Sequence, residues 1–415
     1  MNKMQNILDL KNLRSILKGR IPGQVIIQYT NSCNATCPQC SMRRTNAFHR
    51  SKLEETEIRK SIDSAAAKNI QALSFTGGEP FLYQSQLISL IQYASNLGIP
   101  YIRTGTNGYM FANAESADFT DKIERFAEKL AKTRLRNFWI SLDSSDPKTH
   151  EEMRGLNGVV KGIEKALPTF HRYGIYPAAN LGINRNTGGK DRIPIVMTDK
   201  EEFYTAFRKA FEHFYEFVIH MGFTMVNACY PMSVSATEEP SMNAVYGATS
   251  KNPIITFTRD EKIQMFRALL DTIPKFRNKI RIFTPLVSVY SFIQQLKGKN
   301  DFPMPCRGGI DFFFIDAADG NTYPCGYRGN ESMGKFYELN VSALKTRAFC
   351  KACDWECFRD PSELIGHVIQ SVHNPLNLVT NKKKDSLYRH LWKEDIKYYR
   401  LCDYFDGRKD IDWNL

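Results

Sequence analysis

Cys33, Cys37 and Cys40 fall at the spacing Cys-x3-Cys-x2-Cys, and three thiolates this close in sequence can converge on one inorganic centre. The number three is informative. Structural zinc is closed by four protein ligands, whereas a four-iron cluster held by three cysteines leaves one iron free for a substrate. A zinc site that recruits a distant fourth ligand is the alternative for this triplet. A second group comes much later. It runs Cys306-Arg307-Gly308-Gly309, then Asp319-Gly320-Asn321-Thr322-Tyr323-Pro324-Cys325, then Cys350, Cys353 and Cys357. Four thiolates complete one cluster or one zinc ribbon, and spacing does not separate the two metals. Cys229 reads as a small buried apolar residue, with a thiol hydrogen donor as its functional alternative. Asp316 and Asp319 read as turn carboxylates beside Gly320.

These residues need a scaffold, and the stretch 24–229 supplies its pattern. Short apolar runs rich in β-branched residues alternate with helix-period segments, as in parallel βα units. Strands are predicted at 24–29, 72–76, 101–106, 137–142, 178–183 and 224–228, with helices such as 54–68 and 120–132 between them. Right-handed crossovers roll such units into a partial barrel. The chemically notable residues sit where these strands end: Thr76-Gly77-Gly78-Glu79-Pro80, Thr106-Asn107-Gly108, Ser141-Leu142-Asp143-Ser144 with Arg154-Gly155 downstream, Asn180 to Asn184, and Asn227-Ala228-Cys229. Barrel enzymes build their active sites at that end. Segments 184–198 and 231–253 break the rhythm and read as long loops that cover or shape a site. Thr258 and Glu261 fit a capping box. An apolar run at 280–284 precedes a change in composition, which puts a boundary between 275 and 300. The expected parts are an N-terminal extension over 1–23, a partial barrel over 24–285, and a cysteine-rich domain with its tail over 300–415. Leu10, Leu13 and Leu17 are at helical spacing and predict a helix packed on the barrel.

In order and spacing these motifs resemble the radical S-adenosylmethionine (SAM) superfamily. The resemblance implies an α/β fold, a partial (β/α)6 TIM-like barrel, with a SAM-binding [4Fe-4S] cluster on Cys33, Cys37 and Cys40. In that family the open iron is chelated by the amino and carboxylate groups of SAM, and reductive cleavage gives a 5′-deoxyadenosyl radical that abstracts hydrogen from a substrate carbon. By the same resemblance Gly77, Gly78 and Glu79 belong to the motif that holds the methionine amino group. Ser141 and Arg154 are assigned to the SAM carboxylate, and Asn107 and Asp143 to the ribose or substrate. The family's usual aromatic residue before the third cysteine is Gln39 here. The second cysteine group resembles SPASM and twitch domains. That implies an auxiliary [4Fe-4S] cluster on Cys306, Cys325 and two of Cys350, Cys353 and Cys357, with two incompletely ligated clusters as the alternative. A full SPASM domain carries Cys-x2-Cys-x5-Cys-x3-Cys, whereas this chain has only Cys350-x2-Cys353-x3-Cys357, and Cys402 lies far beyond it. The family implies peptide or protein modification first, and a small molecule such as a sugar or cofactor precursor second. Its implied partners are an electron donor such as flavodoxin or ferredoxin and, since only about twenty residues precede the first strand, a separate leader-peptide-binding protein for a leader-bearing substrate.

Composition sets the outer bounds. A chain of 415 residues accommodates one large domain and a smaller one. Its 42% apolar and 24% charged residues exclude disordered and fibrous classes. No run approaches the ~20 apolar residues that span a bilayer, and the first residues lack the apolar core of a signal peptide, so the expected location is cytoplasmic. Ten cysteines in such a compartment read as metal ligands or reactive thiols rather than disulfides. The net charge of +12 is spread along the chain, with only short runs such as Lys382-Lys383-Lys384, and reads as a solvated surface. The competing class is a non-enzymatic zinc or iron–sulfur protein that binds nucleic acid through its basic surface, which requires steep salt dependence.

Overall fold

The computed structural model describes residues 15–42, 49–190, 193–232, 242–299, 301–373, 386–411 and 413. The six expected strands form in sequence order: β1 (Gly23–Thr30), β2 (Ile70–Gly77), β3 (Tyr101–Thr106), β4 (Leu135–Leu142), β5 (Ala178–Gly182) and β6 (Met225–Cys229). Each pairs in parallel with the next, and the crossovers that parallel pairing demands carry α1 (Glu55–Ala67), α2 (Gln84–Asn96), α3 (Phe119–Ala131), α4 (Pro147–Arg154), α5 (Val159–Arg172) and α6 (Lys200–His220). Two additions extend this frame. After α7 (Arg259–Phe276), the apolar run at 280–284 supplies β7 (Arg281–Ile282), parallel to β6 and followed by α8 (Leu286–Leu296). The cysteine-rich segment supplies β8 (Phe312–Ile315), parallel to β1, and β9 (Thr322–Tyr323), antiparallel to β8. The nine-stranded order β7-β6-β5-β4-β3-β2-β1-β8-β9 therefore seats the second cysteine group on the same sheet as the first.

The period-2 alternation of a strand sorts the two faces of the barrel. On β4, Phe138, Ile140 and Leu142 are buried in the main apolar core, where Phe138 and Phe81 meet Phe126 edge to face. Asn137, Trp139 and Ser141 of the same strand line the interior. The amino-terminal mouth of the barrel is closed by the far end of the chain, for which neither periodicity nor motif gave a role. Following α9 (Glu356–His373) and α10 (Ser386–Leu401), a left-handed turn at Asp403–Phe405 runs under the strand starts. Tyr101 donates its hydroxyl to the carbonyl of Phe405 (3.2 Å), Tyr176 N–H to Gly407 (2.7 Å), and Gly407 N–H to Arg136 (2.7 Å). Asp406 pairs with Arg136 at 2.6 Å. A Cβ at Gly407 would stand 2.6 Å from the Arg136 carbonyl oxygen, so only glycine permits this approach. Ala178, Met225, Tyr398, Cys402 and Phe405 form the apolar floor, which places Cys402 apart from the other cysteines.

The loop 184–198 is locked onto α7. Arg185 pairs with Glu261 at 3.0 Å and donates to the carbonyls of Pro253 and Thr256. Glu261 also completes the predicted capping box, accepting from Thr258 N–H at 2.8 Å while its own N–H donates to Thr258 Oγ1 at 3.3 Å. Thr258→Ala is expected to cost about 1 kcal/mol, read as a lower urea midpoint at unchanged slope; an unchanged midpoint refutes the cap's contribution. Leu10 and Leu13 of the expected N-terminal helix, residues 191–192 and 233–241 of the two loops, and Lys382-Lys383-Lys384 lie outside the described residues. Among the described residues no helix is long and apolar enough to cross a membrane.

Candidate active site

The carboxyl ends of the strands open into a cavity of ≈ 280 Å³ that continues down the barrel interior. Cys33, Cys37 and Cys40 line it from the loop after β1, and that loop is held by its main chain rather than by the thiols. Thr36 N–H donates to the Arg154 carbonyl (2.9 Å), Ser41 N–H to Gly247 (2.9 Å), and Ser250 Oγ to Pro38 (2.9 Å). The later part of the loop 231–253 thus covers the triplet. Burial pushes all three thiols up, Cys37 to about 11 and Cys40 to about 12. Thiols of this kind become thiolates when a metal centre takes the place of their protons. Among the described residues no three Cys, His, Asp or Glu side chains converge where a single ion would sit. The three thiols line one cavity, near enough to the Glu79 and Asp143 carboxylates for these to act electrostatically on Cys33 and Cys37, and three thiolates are a donor set that fits an iron–sulfur cluster with one open iron.

The glycine pair at the end of β2 meets this loop through its backbone. Gly78 N–H donates to Thr30 (2.7 Å) and Glu79 N–H to Ser32 (2.8 Å). A Cβ on Gly77 or Gly78 would lie 2.2 Å from the carbonyl oxygen of Thr30 or Ser32, respectively, so any side chain would drive the strand end and the cysteine loop apart. Glu79 is fully buried; its carboxylate accepts from Phe81 N–H (3.0 Å) and Asn107 N–H (2.6 Å), and burial pushes it up to about 7. It ties the end of β2 to the end of β3. Asn107 in turn donates to Asn34 Oδ1 (2.8 Å) and Cys33 Sγ (3.7 Å).

Asp143 and Arg154, expected separately at ribose and carboxylate, form one buried ion pair at 2.8 Å. Gln39 joins it, donating to Asp143 Oδ2 at 2.9 Å, so the residue at the family's aromatic position braces this pair. His150 accepts the Asp143 N–H through Nδ1 (3.1 Å), and burial holds the imidazole down at about 3, hence neutral. Asn184 donates to the carbonyls of Asp143 and Gly182. Ser141 lines the cavity one pleat below.

A second, smaller pocket is lined by Cys306, Cys325, Cys350 and Cys353. Cys306 and Cys350 are bridged by a main-chain bond of 2.8 Å. Two backbone N–H groups, of Gly308 and Tyr327, donate to the sulfurs of Cys306 and Cys325 at 3.4 Å each. Arg359, 2% exposed, donates Nη1 to the Cys350 carbonyl, while its Nε and Nη2 protons meet no protein acceptor beside this pocket. Four thiols, inward N–H groups and a buried cation fit an anionic cluster. Cys357 lines the first cavity instead, with Glu356 and Cys229, because α9 begins at Glu356 and its first turn carries Cys357 to the other side of Trp355. Alanine at Cys350 or Cys353 should remove about four irons per chain and alanine at Cys357 none; iron analysis of the reconstituted variants decides, and equal loss in all three would overturn this division.

Asp319 accepts from Asn321 N–H and the Tyr323 hydroxyl within the β8–β9 turn, and burial pushes Asp316 up to about 6; neither lines the cavity. Arg103, Asn137, Tyr246 and Glu356, which no sequence motif singles out, do line it. Polar residues at every second position of otherwise apolar strands were the available signal for the first two.

Residues 27–190 match the family described as "Radical SAM superfamily". Among curated proteins, the chain is 29% identical over 144 residues to the "Probable GTP 3′,8-cyclase" of Methanococcus maripaludis strain S2, covering 34% of this chain and 44% of the relative. It is 32% identical over 147 residues to the "GTP 3′,8-cyclase" of Alkaliphilus metalliredigens, covering 34% and 42%. The match spans less than half the length of these relatives. Among solved structures, native anSMEcpe with bound AdoMet superposes with a TM-score of 0.51 at 14% identity over 93% of this chain and 100% of that one. Streptococcus suis SuiB bound to S-adenosylmethionine gives 0.50 at 15% identity over 77% and 64%. These likenesses show a shared fold.

Proposed function

We propose, from the match of residues 27–190 to the radical SAM superfamily, that the chain cleaves SAM reductively and uses the radical to take hydrogen from a substrate carbon. The observation that carries this reading is the convergence of Cys33, Cys37, Cys40, Gly77, Gly78 and Arg154 on one cavity at the carboxyl end of the sheet. Cys33, Cys37 and Cys40 would hold the SAM-binding [4Fe-4S] cluster, and Cys306, Cys325, Cys350 and Cys353 an auxiliary one of the SPASM or twitch kind. When bound, the first cluster would supply the electron for reductive cleavage of the sulfonium carbon–sulfur bond of SAM.

The chain's own residues bind, orient and exclude water. The glycine pair, lacking side chains, offers main-chain groups to the methionine amino group, and Glu79 fixes their position. Arg154, aimed by Asp143, is suited to the SAM carboxylate, and Ser141 and Asn107 to its polar rim. The segment 242–253 covers the cysteine loop and the apolar floor closes the far end, which limits the access of water to a radical. The part of the substrate that reaches the interior is small, which accommodates one side chain of a peptide or protein. A second reading, a small-molecule substrate, is favoured by the curated relatives, named as GTP 3′,8-cyclases. Anaerobic reconstitution with iron and sulfide, followed by SAM and dithionite, tests the shared core of both. Formation of 5′-deoxyadenosine supports it; tightly bound zinc with no cleavage sinks it.

A further inference from the structure

We infer that the barrel interior binds an oxyanion of the substrate, a carboxylate or a phosphate, on Arg103 and Asn137. This rests on the radical SAM reading for the place of the substrate. Ser74 on β2, Arg103 on β3 and Asn137 on β4 are register partners on one rung, and all three line the cavity. Arg103 donates through Nε to Ser74 Oγ, and among the described residues no ion pair involves it.

Four other guanidinium groups of low exposure are matched by carboxylates, whereas Arg359 faces the second cysteine pocket. Arg154 has Asp143, Arg185 has Glu261, Arg277 has Asp395 and Arg307 has Asp311. Arg281, also on the barrel wall, donates to Thr224 and to the Asp406 carbonyl. A guanidinium facing an interior without a carboxylate is costly unless a ligand supplies the charge. Its neighbour makes the same point independently: Asn137, buried, donates Nδ2 to the thioether sulfur of Met225 at 3.3 Å, a weak acceptor. Two strong donors thus face a space short of acceptors.

The carboxyl groups that share the cavity are engaged elsewhere: Asp143 by Arg154, Glu79 by the Phe81 and Asn107 N–H groups, and Glu356 by Tyr230 N–H at 3.4 Å. The guanidinium fork takes a carboxylate or phosphate through two parallel bonds. Higher up, Ser141, Asn180 and Asn227 form a further rung of register partners, a polar wall for the neutral part of the ligand. The apolar floor below prevents deeper extension. The substrate therefore enters with its anionic end down and its reacting carbon toward the Cys33 and Arg154 end.

The test uses the full chain, reconstituted anaerobically and saturated with SAM without reductant, so that the Arg154 end is filled. Inorganic phosphate, glutarate and uncharged glutaramide are titrated by calorimetry, with quenching of tryptophan fluorescence as a second readout, since Trp139 lines the same interior. At least one anion is expected to bind about tenfold or more tighter than glutaramide, and Arg103→Gln to abolish that preference. Stronger binding of phosphate points to a phosphorylated small molecule, and of glutarate to a carboxylate substrate or acidic side chain. No anion preference in the wild-type chain, or an undiminished preference in Arg103→Gln, overturns the inference. Where Arg103→Gln fails to fold, Asn137→Leu decides, with a loss of at least about threefold expected and no change overturning it. Reductive SAM cleavage by the wild-type chain is measured separately; its absence would remove the radical reading and leave the anion result standing.

Discussion

The combined variant Cys33→Ala, Cys37→Ala and Cys40→Ala is expected to lose all reductive cleavage of SAM and about four of roughly eight irons per reconstituted chain. The fold is expected to survive the change, because the loop is held by main-chain bonds from Thr36 and Ser41 and by Ser250. Only the donors to the inorganic centre disappear. Iron analysis, circular dichroism and chromatographic detection of 5′-deoxyadenosine check the three statements. Retention of 5′-deoxyadenosine formation would refute the assignment of the triplet. A parallel loss of all iron would mean that the two cysteine groups do not load independently.

Asp143→Ala has the second largest expected effect and acts on stability and binding together. Asp143 is 1% exposed and holds Arg154 at 2.8 Å, with Gln39 on the same carboxylate oxygen. Removing it strands a buried guanidinium, which costs about 3–5 kcal/mol, and unhooks Arg154 from the direction in which it meets a ligand. Urea unfolding and equilibrium dialysis with SAM measure the two consequences. The double variant Asp143→Ala/Arg154→Met should recover most of the stability, since no orphaned charge remains, and none of the SAM affinity. Recovery of both would show that Arg154 does not bind SAM.

The strands β1 to β6 were legible because short, largely apolar runs alternate with helix-period segments, and observed ends differ from expected ones by two residues at most. The glycine pair, Asn107, Asp143 and the cysteine triplet were legible as a set because all fall at strand ends. What escaped the sequence depends on contacts between distant segments. The pairing of β8 with β1 and the closure of the barrel floor by residues 402–407 carry no local signal. Neither does the pairing of Asp143 with Arg154, to which the family resemblance assigns two separate roles. The ambiguity among Cys350, Cys353 and Cys357 had a local cause that sequence spacing hides: a helix starting at Glu356 rotates the third thiol away from the first two. Arg103 stands out only through its place on the rung with Ser74 and Asn137, which strand register and not sequence reveals.

The pairing of β1 with β8 also sets an order of events during synthesis. Gln24 waits for Phe312, a partner 288 positions later, and at ribosomal speeds of ~5–20 residues per second the interval is roughly 15–60 s. Through that time one edge of β1 displays unpaired backbone groups beside Val25, Ile26 and Ile27, the kind of template on which another nascent chain can add a strand. Slow, late completion of this sheet makes yield in a foreign host a matter of translation rate and chaperone supply, separate from any question of metal loading.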